Sequence, residues 1–517
     1  MTKHLRSAVR RISLILLALT LAACGSAERG DNSTPDPGAT LNTANMISTE
    51  TLDPHMIQNE LVYLLSAPYL AYDQLFVLGP DGAPQGRLVE KWSVSEDGLR
   101  VTMKLREDAS FRDGSSLDAA VVVANLERAR TLPSPLIKSQ MAAVVGSEVT
   151  APYEVVVTLG GPTPILPYLL AGGAGYIMNP VLFREGDPAT QTDGSGAYRV
   201  ESFSPRERVS YVRDRDDYWD RAAGKFARLV HRSIPDATAL ANAFASGQAD
   251  IGQMQPSEVS SLTRRSDITL HRAGASYAME LYLNFSEGPL TDQKVRQAVN
   301  HACDRRAVVD VMFPGSEPRW QQARAGLPGF DPALEEIYPY DVERARALLT
   351  EAGYPGGVEL GEVLVSSSAP QGLEDVLTQQ LAAAGIKITT RRVDALQAYQ
   401  FWNEGRNAGL ISYSSYGMEY GLGASYRWNL RQPGTMPAEF TTLLTAASDS
   451  RLPDAERDKG YRKVSDYLAR QALSAPLVWV SYPWPTSDRV IGFDPATRNY
   501  NRNVGPHDYR HVAVAAR

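Results

Sequence analysis

GRLVEKWSVSEDGLRVTMKLREDASFRDGSSLDAAVVVANLERA, residues 86–129, changes its hydrophobic period once and its turn chemistry twice. Residues 88–95 and 99–107 alternate apolar with polar, and Trp92 and Val94 match Leu99, Val101, Met103 and Leu105. Glu96-Asp97-Gly98 between them supplies a turn, so the spacing predicts a β-hairpin. A second Asp-Gly, at 113–114, leads into a helical run for which Ser116 or Asp118 is the expected N-cap. A further strand is expected over 151–159.

Outward from this unit the same two periods recur. DGSGAYRVESF, RERVSYVRDRDDYWD and FARLVHRSI, from residue 191 on, read as three short strands parted by turns. IPDATALANAFASGQADIG reads as a capped helix ending at Gly247, followed by a short strand. A new region begins near 270. LYLNF is strand-like, and residues 291–313 read as one long helix with Val295, Val299, Ala302 and Val309 near one face. DVERARALLTEAGYPGG is a helix between Asp341 and Gly353. VELGEVLV, a helix over 371–384 stopped by Gly385, and IKITTRRV form a strand–helix–strand unit of parallel type. The fold class is α/β.

At 517 residues the chain exceeds the ~250–300 at which one core usually stops growing, so two or more units are expected. Composition, 43% hydrophobic and 21% charged, is that of a folded chain. Residues 1–23 form a separate object: Lys3, Arg6, Arg10 and Arg11 precede an apolar run over Ile12–Leu21. That run is about half the roughly twenty residues a spanning helix needs, and its order is that of an export signal. Leu21-Ala22-Ala23-Cys24 is similar to a bacterial lipobox, which implies cleavage before Cys24 and lipid on its thiol; the alternative is an ordinary signal with an incidental cysteine. Arg10-Arg11 leaves both the general and the twin-arginine export routes open. Residues 26–42, rich in Gly, Pro and Ser, suit a tether holding the chain outside the cytoplasmic membrane.

Loss of the four basic signal residues takes the formal net charge from −7 to −11. An acidic chain lacks the basic face that phosphate backbones require, so nucleic acid is not an expected partner. With Cys24 lipidated, Cys303 stands alone, and a lone cysteine in a helical context reads as a small buried hydrophobe. No Gly-x-Ser-x-Gly elbow, His-Glu-x-x-His or phosphate-binding Gly-x-x-x-x-Gly-Lys-Ser/Thr occurs. Residues 421–426 begin like a dinucleotide loop but lack the third glycine. His507 and His511 are four apart without an evident third ligand, and His55, His231, His271 and His301 are scattered. Neither an enzyme, a metal site nor a cofactor is expected; a secreted hydrolase is the distant alternative.

The stretch over 72–129 resembles the signature region of the family 5 extracellular solute-binding proteins, receptors of ABC importers for dipeptides, oligopeptides and nickel. Trp92, Asp97, Gly98, Leu105, Arg106, Phe111, Asp113 and Gly114 carry the match, while Val121 or Val122 stands where the family often has aspartate. TLDPH at 51–55 resembles the family's first strand exit, and GSGAYRV at 194–200, RDRDDYWD at 213–220, residues 234–251, 294–310 and 347–357 resemble later family segments in the same order. Most of these residues, Trp92, Phe111, Tyr218 and Trp219 among them, are expected to hold the fold.

The resemblance implies a two-lobed periplasmic-binding-protein fold of type II, of the large peptide-binding class with an extra inserted domain. Residues 43–73, 190–265 and 485–517 would form lobe 1, 74–189 the inserted domain and 266–484 lobe 2. It implies a monomer that captures a peptide or other small solute between the lobes and presents it to a permease; chelated nickel, an opine or an oligosaccharide are the other solute classes. The family's ligand-amine aspartate falls in this chain within SYSSYGMEYGLGASYRW, residues 412–428, where Glu419 takes its place and Tyr416 stands where a tryptophan is common. Gly417, Met418 and Arg427 accompany them, and Trp479 and His55 lie at positions near the cleft in relatives. Either carboxylate accepts charge-assisted bonds from an ammonium. The other reading of Glu419 is a solvated loop carboxylate, and of Arg427 and Arg406 surface arginines.

Overall fold

Two large β-sheets, joined by two crossings, organise the computed structural model, which describes residues 34–57, 68–79, 83–163, 165–272, 277–414, 436–493 and 509–516. The first sheet has seven strands in the order Tyr198–Ser204, Arg208–Arg213, Arg228–Ser233, Thr40–Asn45, Ile251–Gly252, Pro483–Ser487 and Ile268–Arg272. Thr40–Asn45 lies inside it, parallel to both neighbours, with Leu41 opposite Leu229 and both fully buried. A strand walled in on both sides has to be apolar or paired along its length. Its polar Asn42 meets this by turning its side-chain amide and backbone N–H to the Asp250 carboxylate, each at 2.9 Å.

The second sheet has six strands in the order Glu317–Pro318, Ser474–Val480, Tyr277–Leu283, Gly409–Ser414, Val358–Ser366 and Ile386–Val393. Its last two are parallel and joined by the helix Leu373–Ala383, whose Leu373, Leu377 and Leu381 repeat every fourth residue and are fully buried. Gly385, at φ +84°, ends that helix in a left-handed turn that favours glycine.

The opening hairpin forms between Val89–Val94 and Arg100–Leu105, in a four-stranded sheet with Glu154–Leu159 and Val144–Ala151. Asp97 accepts the Leu99 N–H and Gly98 takes φ +72°. Of the two expected caps Asp118 is used, accepting the Val121 N–H at 3.0 Å at the head of the helix Ala119–Thr131. Trp92 is on the edge strand, 37% exposed, with its ring edge-on to Phe76, whereas Phe111 is buried.

This smaller sheet is fastened to the seven-stranded one through Asp73. Its fully buried carboxylate accepts from Arg87 Nε, Tyr218 Oη, Trp219 Nε1 and Ser195 Oγ, all within 3.1 Å. Arg106 lies 3.3 Å over the Trp219 ring. Arg112, from the Phe111-Arg112-Asp113-Gly114 turn, donates to the carbonyls of Gly194 and Gly196 and pairs with Asp214. Tyr218 and Trp219 thus join two parts of the chain, the structural role expected of them.

One expected element is corrected. The helix read over 291–313 is two helices, Gln293–Ala302 and Arg305–Met312. Cys303 leaves helical geometry, and Asp304 starts the second helix by accepting the Ala307 N–H at 3.0 Å. The buried Arg305 guanidinium takes the carbonyls of Asn300 and Cys303, which a continuing helix would have used internally. The apolar period runs through the break, because both helices cover the same core.

Two neighbouring connections carry the chain between the large sheets. Ile268–Arg272 belongs to the seven-stranded sheet and Tyr277–Leu283 to the six-stranded one; on the return, Ser474–Val480 belongs to the second and Pro483–Ser487 to the first. The outgoing and returning strands pair with each other on both sides, Arg272 opposite Pro483 and Tyr277 opposite Val480. Ladder pairing therefore holds Arg272 and Pro483 to the first sheet and Tyr277 and Val480 to the second.

Candidate functional site

The ground beside this double crossing is built from side chains on three strands. Trp479, on Ser474–Val480, lies opposite Ala278 on one neighbour and Glu317 on the other, and packs against Ala278 and Leu327. It is 5% exposed, and the guanidinium of Arg319 covers its ring at 4.5 Å. Three residues on, Tyr482 lies in the returning crossing and donates its hydroxyl to that of Tyr413 on the strand Gly409–Ser414. The two rings are 6.2 Å apart. Burial raises the Tyr413 phenol well above its usual value, so it stays protonated. Directly after that strand comes the tyrosine- and glycine-rich stretch that carries Glu419.

Behind Trp479 is a charge pair that pattern reading missed. Glu280, in the middle of the apolar strand Tyr277–Leu283, and Arg319 are 1% and 0% exposed, with Nη1 at 3.1 Å from the carboxylate. Glu280 also accepts from Gln322 Nε2 at 2.6 Å and from Ser474 Oγ; Arg319 donates to the Gln321 carbonyl and to Gln322 Oε1. With every partner in place, the pair is a rigid backing for the indole ring. A lone acid inside YAMELYL was the available signal: a charge at a core-facing strand position demands a partner.

His55 is fully buried. Its Nε2 is 3.1 Å from the Tyr176 carbonyl, its backbone N–H is held by Asp53, and Asp53 makes a two-pronged pair with Arg128. Burial first, and Arg128 second, lower its pKa to about 4, so the ring is neutral. Arg406 is exposed and pairs with Glu404 at 2.6 Å. Cys303 is buried, which pushes its thiol up to about 11. Tyr416, Gly417, Met418, Glu419, Arg427 and Cys24 lie outside the described residues. Among the described residues no cluster of three or more His, Cys, Asp or Glu is placed to hold a metal, and no helix is long and apolar enough to cross a membrane.

Residues 83–436 match the family described as "Bacterial extracellular solute-binding proteins, family 5 Middle". The chain is 29% identical over 474 residues to the glutathione-binding protein GsiB of Salmonella paratyphi A, covering 86% of this chain and 89% of that protein. Among solved structures it is similar to the periplasmic binding protein DppA of Helicobacter pylori in complex with the peptide STSA, with a TM-score of 0.77 at 20% identity, over 95% of this chain and 100% of that one. It is similar also to AgaA of A. tumefacien R10 in complex with agropinic acid, with a TM-score of 0.78 at 21% identity over 93% and 99% of the two chains. The fold is the two-lobed type II periplasmic-binding-protein fold. Two sheets bridged by a paired double crossing, and a family match over most of the chain, lead to one conclusion: the chain belongs to the family 5 bacterial extracellular solute-binding proteins, receptors that deliver solutes to ABC importers and are not enzymes.

Proposed function

We propose that this receptor takes short peptides, closing its two lobes about the double crossing, and that lipid on Cys24 holds it as a monomer at the outer face of the cytoplasmic membrane. The two large sheets are the cores of the lobes, and the four-stranded sheet is the core of the inserted domain. The observation that carries the reading is the Tyr413–Tyr482 hydroxyl contact: it fixes the end of one strand to the crossing, five residues before Met418 and six before Glu419. Glu419 is then the anchor for a ligand ammonium, Tyr416, Gly417 and Met418 its surroundings, Trp479 an aromatic wall, and Arg427 a partner for a ligand carboxylate. Ligand backbone pairing with strand edges would leave peptide side chains little constrained. The relatives named for glutathione and the tetrapeptide STSA support a peptide ligand.

Native mass spectrometry of protein purified without refolding is the test. A retained, intact peptide is expected; time-dependent cleavage products, or a retained opine, oligosaccharide or nickel chelate, would reject the peptide reading. Glu419→Gln should weaken the retained ligand by roughly 1.5–3 kcal/mol in calorimetry, the scale of a hydrogen bond to a charged group. Cys24→Ser should abolish labelling by a fatty-acid analogue.

A further inference from the structure

The hairpin tip Ser95–Gly98 has an unexpected neighbour. Glu96 and Asp97 are exposed, as a turn should be, yet Gly98 is buried. A Cβ added to Gly98 would lie 2.9 Å from Pro162 Cβ, 2.9 Å from Ser450 Oγ and 3.3 Å from Arg451 Cγ. Pro162 follows the strand Glu154–Leu159 of the same small sheet. Ser450 and Arg451 do not: they form the loop between the helices Ala438–Ala447 and Asp454–Arg470. Those helices are built onto the six-stranded sheet, since Tyr338 Oη donates to the Ala469 carbonyl at 2.8 Å and Arg296 Nε to that of Gln471 at 3.1 Å. Asn300, one helical turn beyond Arg296, reaches the Ser474 carbonyl in that sheet.

The small sheet, by contrast, is fastened to the seven-stranded side through Asp73, Arg112 and Arg128. The tip therefore touches the opposite half of the molecule, at a place remote in sequence from the double crossing. Gly98 is needed there twice, for φ +72° and for the absence of a side chain. At the contact itself Ser450 Oγ is a buried hydroxyl with no hydrogen-bond partner among the described residues. Such a group disfavours burial, so the contact is poised: close packing holds it shut and the unpaired Ser450 hydroxyl opposes it.

We infer that Gly98 and Pro162 on one side, and Ser450 and Arg451 on the other, form a latch between the inserted domain and lobe 2 that sets how much of the ligand-free receptor is closed. The inference rests on the hinge-closing reading above. A contact present in the closed form alone shifts the open–closed balance by its own free energy, without touching the solute.

Small-angle scattering of the ligand-free protein tests it. Ser450→Trp, on the loop between the two helices, puts bulk where Gly98 leaves none and should expand the molecule toward the open form. Gly98→Ala should do the same from the other face. Ser450→Ala deletes the unpaired hydroxyl and should favour the compact form by roughly fivefold or more in population. Circular dichroism and melting curves show that each variant is folded. A folded Ser450→Trp protein with the wild-type profile overturns the latch. Compaction of the wild type on adding reduced glutathione or the peptide STSA is read separately; its failure would count against the peptide reading and leave the ligand-free comparison to decide the latch.

Discussion

Replacing Arg319 by methionine removes a cation from one of the driest places in the molecule. Arg319 and Glu280 are 0% and 1% exposed, so neither charge has water to fall back on. After Arg319→Met the Glu280 carboxylate keeps Gln322 Nε2 and Ser474 Oγ, two neutral donors, and loses its counter-charge. Removing one partner of a buried pair costs about 3–5 kcal/mol, because the remaining charge stays desolvated. Loss of the guanidinium over Trp479 adds a smaller amount, about 1 kcal/mol. For a unit of some two hundred residues each kcal/mol moves Tm by roughly 2–4 °C, so calorimetry should show the six-stranded lobe melting roughly 10 °C earlier. Arg319→Met with Glu280→Leu should recover more than half of that, since an apolar pair needs no charge balance. A single-mutant loss under about 1 kcal/mol would refute the claim that the pair is desolvated.

Acid should weaken the fold through two histidines. Burial holds His55 at about 4 and His231 at about 3, below the ordinary 6.5, so the unfolded chain takes up protons that the folded chain refuses. Their contribution is complete above pH 6.5 and falls as pH drops below it, by about 2 kcal/mol each at pH 5. His231→Phe should flatten the Tm–pH curve between about pH 7 and 5, and a curve parallel to wild type would contradict the assignment. Burial alone would raise the Asp73 carboxyl, but Arg87 and Arg510, with bonds from Tyr218 and Trp219, hold it below the usual range. Asp73→Asn should therefore cost about 3 kcal/mol and speed hydrogen exchange at 509–516, where Arg510 loses its counter-charge. Cys303 should resist a thiol reagent in the native protein with Cys24 blocked, and react fully in guanidinium; fast native labelling would show that the thiol is not enclosed.

Much of this molecule was legible residue by residue. Asp118 and Asp341 cap the helices that their positions predict, and Gly98, Gly247, Gly353 and Gly385 take the left-handed turns their positions implied. The missed break at Cys303-Asp304 has a cause beyond local pattern, since Arg305 draws carbonyls from one helix end while bonding to Arg319 and Pro476 elsewhere. The candidate anchor Glu419 was named from its place in the family pattern; Trp479 was too, but its Arg319 backing was not. A lone glutamate in YAMELYL announces that it needs a partner. It does not say that the partner is 39 residues away.

What the chain determined by itself is whatever depends on a few neighbouring residues: strand and helix periods, caps, turn glycines and the family motifs. What tertiary structure alone decided is the pairing of Thr40–Asn45 with Arg228–Ser233, the double crossing, the Glu280–Arg319 pair and the approach of Gly98 to Ser450. These join segments tens to hundreds of residues apart, where local preference is silent and the choice is made by which buried charges find partners and which apolar faces close together.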